Sequence, residues 1–184
     1  EIKNITLFDK LIINKSDQKS DIFDAVLFVP RNLKNVLIPS FIRKISNYAF
    51  ERCMSLNKIE FEEDSMLETI KGHAFAHSAV SNIKIPSNVT KIDRYAFYEC
   101  LKLKSVNFCN DSKLTSIGEY TFSMSSIRCI VIPSKVSSIH QSAFKSCKLI
   151  QIIELEDKYL LNSISAKIFQ PSSPLIMTPP INLI

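Results

Sequence analysis

Phenylalanine recurs in this chain at positions 50, 75, 97, 122, 144 and 169, in steps that alternate between 25 and 22 residues. Five residues before each stands an isoleucine: Ile45, Ile70, Ile92, Ile117, Ile139 and Ile164. Ala49, Ala74, Ala96, Thr121 and Ala143 precede the first five phenylalanines. A second pattern, apolar-x-x-apolar-x-apolar, runs between them. It reads Leu33, Val36, Ile38; Leu56, Ile59, Phe61; Val80, Ile83, Ile85; Leu103, Val106, Phe108; Ile127, Ile130, Ile132; Ile150, Ile153, Leu155. Its last positions advance by 23, 24, 23, 24 and 23 residues. A fixed register over six copies means a repeat architecture, and that excludes most ways of folding 184 residues.

The copies come in two flavours. One has a proline after the apolar pattern (Pro39, Pro86, Pro133), and its phenylalanine is followed three residues later by Cys53, Cys100 or Cys147. The other has Glu62, Cys109 or Glu156 in place of proline, a link two residues longer, and Ser78 or Ser125 at the cysteine position. The full unit is therefore a pair of 47 residues, used about three times. The period-two end of each pattern predicts a short strand with one face buried. A following proline removes a ladder donor and ends it. The Ile-x-x-x-Ala-Phe spacing suits one or two turns of α- or 3₁₀-helix. No unit of this size buries its own apolar edge, so neighbours must stack into one core.

The expected fold is an α/β repeat solenoid with one short parallel strand per repeat of 23 or 24 residues and short helical or 3₁₀ turns on the opposite, convex side. The string Ile-Pro-x-x-Val-x-x-Ile-x-x-x-Ala-Phe-x-x-Cys-x-x-Leu-x-x-Ile-x-Phe, nearly complete over residues 83 to 108, resembles the BspA-like leucine-rich repeat. The resemblance covers about residues 33 to 170, as six repeats. Residues 1–32 depart from it and read as a lead-in, a cap and a divergent first repeat, Phe23 to Pro30. Residues 171–184 read as a degenerate last repeat or tail. The chain begins at Glu1 without a leader and reads as a piece of something longer.

The resemblance implies a curved solenoid on a microbial or parasitic-protist surface, secreted or cell-anchored, acting as a surface antigen and in adhesion to host cells or extracellular matrix. The implied partner is a protein or matrix glycoprotein. An intracellular scaffold of the same fold, and a stalk, spacer or accessory domain of a larger protein, remain open alternatives. Four N-x-[ST] sequons, Asn4, Asn14, Asn88 and Asn110, are about two more than composition alone places, and lean towards a secretory history.

Other chemistries find no support. Two glycines cannot build a phosphate-cradling loop, so no nucleotide cofactor is expected. A net charge of +5 is too small to argue for nucleic acid. No stretch approaches a membrane span of roughly 18 apolar residues. No catalytic residue is proposed, since there is no G-x-S-x-G and no C-x-x-C. His73 and His77 lie four apart but lack the H-E-x-x-H form, and read as exposed histidines on the convex side. Glu60, Glu62, Glu63 and Asp64 lack the spacing of a calcium loop and read as a solvated turn. Cys53, Cys100 and Cys147 recur every two repeats, roughly 10 Å at the strand spacing. That exceeds the reach of a disulfide, about 7 Å between Cα atoms, so all three should be buried free thiols.

What remains is the outward face of the strands, the usual binding face of leucine-rich repeats. Its candidates are Lys58, Glu60, Lys84, Lys104, Asn107, Arg128, Cys129, Val131, Ile152 and Glu154. Lys58, Lys84, Lys104 and Arg128 form a diffuse basic track; Cys129, Val131 and Ile152 form an apolar patch. An ordinary solvated sheet face, with the patch covered by further chain, is the alternative.

Overall fold

A computed structural model describes residues 5–8, 10–17, 19 and 21–155. The chain opens with an antiparallel meander of β1 (Ile5–Phe8), β2 (Leu11–Lys15) and β3 (Phe23–Phe28). Strands then come two per repeat. In chain order they are β4 (Asn35–Ile38) and β5 (Lys44–Ile45), β6 (Lys58–Phe61) and β7 (Thr69–Ile70), β8 (Asn82–Ile85) and β9 (Lys91–Ile92), β10 (Ser105–Phe108) and β11 (Ser116–Ile117), β12 (Cys129–Ile132) and β13 (Ser138–Ile139), and lastly β14 (Ile152–Leu155). The four-residue strands form one stacked series and the two-residue strands another, all parallel. The result is a parallel β-solenoid.

Two expectations are corrected. The repeat carries two strands rather than one, because Ile45, Ile70, Ile92, Ile117 and Ile139 sit in the short strands and not in a helix. The described residues contain no helix, and the Ala-Phe segments are turns. Their hydrogen bonds explain why. Alternate N–H groups bond backwards within the turn, as Ala49 N to Ser46 O (3.3 Å) and Glu51 N to Tyr48 O (3.1 Å). The N–H groups between them donate across to the next repeat, Phe50 N to Ala74 O (2.7 Å) and Arg52 N to Ala76 O (2.9 Å). A helix would spend every one of these donors along its own axis. The alternation is made by left-handed residues two before and two after phenylalanine: Tyr48 and Arg52, His73 and His77, Tyr95 and Glu99, Tyr120 and Met124.

The series of long strands is divided. Hydrogen-bonded ladders join β4 to β6, β8 to β10 and β12 to β14, but not β6 to β8 or β10 to β12. Glu62 N extends the first ladder by donating to Ile38 O at 3.0 Å. Pro86 and Pro133 occupy the corresponding position at the two breaks and have no N–H to give. The 47-residue pair of the sequence is thus the hydrogen-bonded pair of the sheet.

The core is one continuous column. Phe50, Phe75, Phe97, Phe122 and Phe144 are buried and stack in succession, with ring centroids 4.8, 5.0, 5.5 and 5.4 Å apart. Ile164, Phe169 and the expected tail at 171–184 lie outside the described residues. At the other end β3 pairs in parallel with β5 (Ala25 with Lys44, Val26 with Ile45) and covers the edge of the short-strand ladder. Buried Asp24 fastens the meander by accepting from Ser16 N (2.8 Å) and Ser16 Oγ (2.7 Å).

The cysteine and serine positions share a second column. Cys100 Sγ donates to Phe75 O at 3.0 Å and lies 3.6 Å from Ser78 Oγ; Cys147 Sγ donates to Phe122 O at 2.9 Å and lies 3.5 Å from Ser125 Oγ. Cys53, Cys100 and Cys147 are free and buried, as the register requires. Burial pushes all three thiols up, that of Cys100 to about 12. The unfolded chain gives up that proton first. The Cys100 contribution to stability is therefore whole below an unfolded value of about 8.5 and is lost as pH climbs towards the folded one. Native protein treated with iodoacetamide at neutral pH should label exposed Cys129 and spare these three until denaturant is added, read by peptide mass spectrometry.

Candidate recognition face

Alternation along each long strand decides which side chains reach solvent. In β4, β8 and β12 the pattern is exposed, buried, exposed, buried. Of the ten candidates, Lys58, Glu60, Lys84, Lys104, Asn107, Arg128, Cys129, Val131 and Ile152 are exposed, and Glu154 is half-buried. The register sets their neighbours. Lys84 stands beside Asn107, Cys129 beside Ile152, and Val131 beside Glu154. Lys58 and Glu60 share a face two residues apart and form an ion pair of 2.8 Å. Lys104 and Arg128 immediately precede their strands. The four cations therefore occupy three columns, and only Lys104 and Arg128 share one, in adjacent repeats.

Val131 is 42% exposed and Ile152 37%, so the apolar patch of Cys129, Val131 and Ile152 is open to solvent among the described residues. Leu37, at the opposite end of the same face, is 53% exposed. It lies in the column of Lys84 and Val131, and the strand alternation alone would have found it. The acidic turn is solvated as expected. Glu60, Glu62, Glu63 and Asp64 are exposed and border an open cleft of about 490 Å³, whose far wall includes Lys84, Pro86 and Asp111. The cleft lies where the proline break separates β6 from β8.

A second surface was not anticipated. Tyr48, His73, Tyr95 and Tyr120, each two residues before a core phenylalanine, stack outside the solenoid at centroid distances of 5.0, 4.7 and 5.0 Å. Lys145 Nζ lies 5.6 Å from the Tyr120 ring centroid. The two histidines are half-buried rather than exposed, because His73 is inserted between Tyr48 and Tyr95, while His77 meets Tyr98 edge-on and places Nδ1 3.1 Å from Glu99 Oε2. Burial depresses the pKa of His73. Among the described residues no group of three or more His, Cys, Asp or Glu could hold a metal ion. The signal for this outer row was present, as an aromatic or histidine two before Phe50, Phe75, Phe97 and Phe122. All four residues are left-handed (φ of 63°, 57°, 58° and 51°), which costs roughly 1–2 kcal/mol each for a side chain other than glycine. Ring stacking of about 0.5–1.5 kcal/mol per pair offsets much of that. The row is accordingly a structural brace on the turns.

Among the described residues no helix is long and apolar enough to cross a membrane. No curated protein matches the sequence. Among solved structures the chain is similar to the pneumococcal vaccine antigen PcpA, at 27% identity and a TM-score of 0.65 over 77% of this chain and 33% of that one. It is similar to a leucine-rich-repeat protein of T. pallidum, at 25% identity and a TM-score of 0.66 over 71% of this chain and 63% of that one. A leucine-rich cell surface protein of Faecalibacterium prausnitzii shares the fold, at 21% identity and a TM-score of 0.53 over 85% of this chain and 47% of that one. The chain thus spans less than two thirds of each of these proteins. The family model described as "BspA type Leucine rich repeat region (6 copies)" matches residues 21–151 and 68–178. That is most of the sequence, and its motif is the one that builds both strand series and the phenylalanine column. The chain belongs to the BspA-type leucine-rich-repeat family, and is a repeat module of the kind that mediates protein interaction.

Proposed function

We propose that this solenoid is a non-enzymatic recognition module of a cell-surface protein that adheres to host cells or extracellular matrix through the face of its long strands. The observation that carries the reading is the solvent-exposed apolar patch of Cys129, Val131 and Ile152 beside the cation of Arg128. Large apolar side chains on a solvated sheet face are a recognition feature rather than a folding one. The likeness to a pneumococcal vaccine antigen, at 27% identity, supports surface display. Free cysteines without a disulfide among the described residues favour a second reading, an intracellular scaffold of the same fold. Antibody labelling of intact against permeabilised cells separates the two.

The adhesive role is tested by binding of the folded protein and its variants to immobilised matrix proteins and host-cell surfaces at two salt concentrations. Buried apolar anchors carry affinity, while charges at a rim steer association. Val131→Asp and Ile152→Asp are expected to weaken binding by about tenfold or more, and more than Lys84→Glu does. Lys84→Glu should instead slow association and flatten its salt dependence. Equal binding by all variants would remove the site from this face. Absence of binding by the unmodified protein would make the segment a stalk or spacer.

A further inference from the structure

The strand face is not uniform in charge. On β6 the Lys58 ammonium is met by Glu60 at 2.8 Å, so that cation is neutralised on its own strand. Further along, Lys84, Lys104 and Arg128 pair with no carboxylate among the described residues. All three are exposed, and the exposed Asn107 amide beside Lys84 makes no hydrogen bond among the described residues. The half of the face from β8 to β14 therefore offers three unspent cations against one half-buried carboxylate, Glu154, with a free amide and, at its far end, the exposed patch of Val131, Ile152 and Cys129. Among the described residues the other half holds one unpaired cation, Lys34, and no patch, only the single side chain of Leu37.

Resting on the strand-face reading, we infer that the partner segment is an extended, acidic peptide. It sets carboxylates against Lys84, Lys104 and Arg128 and an apolar side chain against Val131 and Ile152. Charge complementarity selects this occupant. A purely apolar segment would leave three cations desolvated and unpaired, and a basic segment would be repelled by them. The geometry fixes the spacing. β8 and β12 are two strand steps apart, about 10 Å. An extended chain rises about 3.3 Å per residue, so the carboxylate that meets Lys84 and the anchor that meets Val131 are about three residues apart. The strands in the middle of the series have neighbours on both sides, so the segment is read by side chains and the Asn107 amide, not by adding a strand.

The test is fluorescence anisotropy of the full chain with a labelled synthetic peptide, Glu-Asp-Glu-Ser-Ser-Leu-Phe-Ser. Two control peptides replace the acids by Lys, or the Leu and Phe by Ser; a heparin oligosaccharide is the third probe. The acidic-apolar peptide should bind, each control about tenfold or more weaker. Val131→Asp and Lys84→Glu should each cost about tenfold for that peptide, with only Lys84→Glu flattening the salt dependence. Equal binding of the Lys peptide would overturn the inference. So would heparin binding that Val131→Asp leaves intact while no peptide binds, since the surface would then read polyanions. Loss of matrix binding in Val131→Asp without binding of any peptide would keep the strand face and overturn the acidic-segment chemistry. Peptide binding sensitive to both substitutions, together with matrix binding sensitive to neither, would keep this site and overturn its adhesive role.

Discussion

Replacing Phe97 by Ala should destabilise the solenoid by about 3–5 kcal/mol in chemical denaturation. Phe97 is fully buried at the middle of the phenylalanine column, 5.0 Å from the Phe75 ring and 5.5 Å from that of Phe122. Truncation removes its transfer free energy, opens a cavity and breaks both stacks at once. The cavity cannot collapse easily. Phe97 N donates to Thr121 O at 2.8 Å and Phe75 N donates to Ala96 O at 2.7 Å, so backbone bonds to both neighbouring repeats hold the turn in place. In an array where each repeat contacts only its neighbours, the loss also weakens the coupling between the two halves. The denaturation curve should therefore broaden as well as shift. A loss under about 1 kcal/mol, well below the range for truncating a core aromatic, would show that the column is not the core.

The long strands were legible because three apolar positions repeat in each, and Val106 and Phe108 leave the same two-residue signature as Val36 and Ile38. The short strands were not. A two-residue strand such as Lys91–Ile92 has no period, and its isoleucine is equally well placed in a helical spacing before Ala-Phe. The left-handed turns were hidden for a different reason. Such positions usually announce themselves as glycine or asparagine, yet here they hold Tyr48, His73, Tyr95 and Tyr120, whose rings support one another only once the repeats are stacked. The candidate face followed from alternation alone. Which of its cations remain available did not, because the pairing of Lys58 with Glu60 depends on where the side chains reach in three dimensions.

The same dependence on close stacking makes Gly118→Ala the second severe substitution, with an expected cost of about 1–3 kcal/mol. The reason is approach rather than torsion. A Cβ built at Gly118 would stand 2.7 Å from Arg94 N and 2.8 Å from Asp93 C, both backbone atoms of the preceding repeat. Neither can swing aside. Gly118 N donates to Ile92 O at 2.9 Å, and Thr121 Oγ1 bonds both Gly118 O (2.9 Å) and Asp93 O (3.1 Å), so the two repeats are tied at this point. An added methyl group must push them apart and lengthen those bonds. Gly72 provides the internal comparison. Its Cβ would meet nothing nearer than 3.3 Å, and one of the two atoms at that distance, Asn47 Oδ1, belongs to an exposed side chain that can move. Gly72→Ala should therefore be milder, and the smaller freedom of alanine in the unfolded chain, worth about 0.4–1 kcal/mol, should offset part of its cost. Urea denaturation of the two variants beside the parent protein measures the difference. Equal stability of Gly118→Ala and Gly72→Ala would mean that the repeats at Asp93 and Arg94 are not packed as closely as this contact requires.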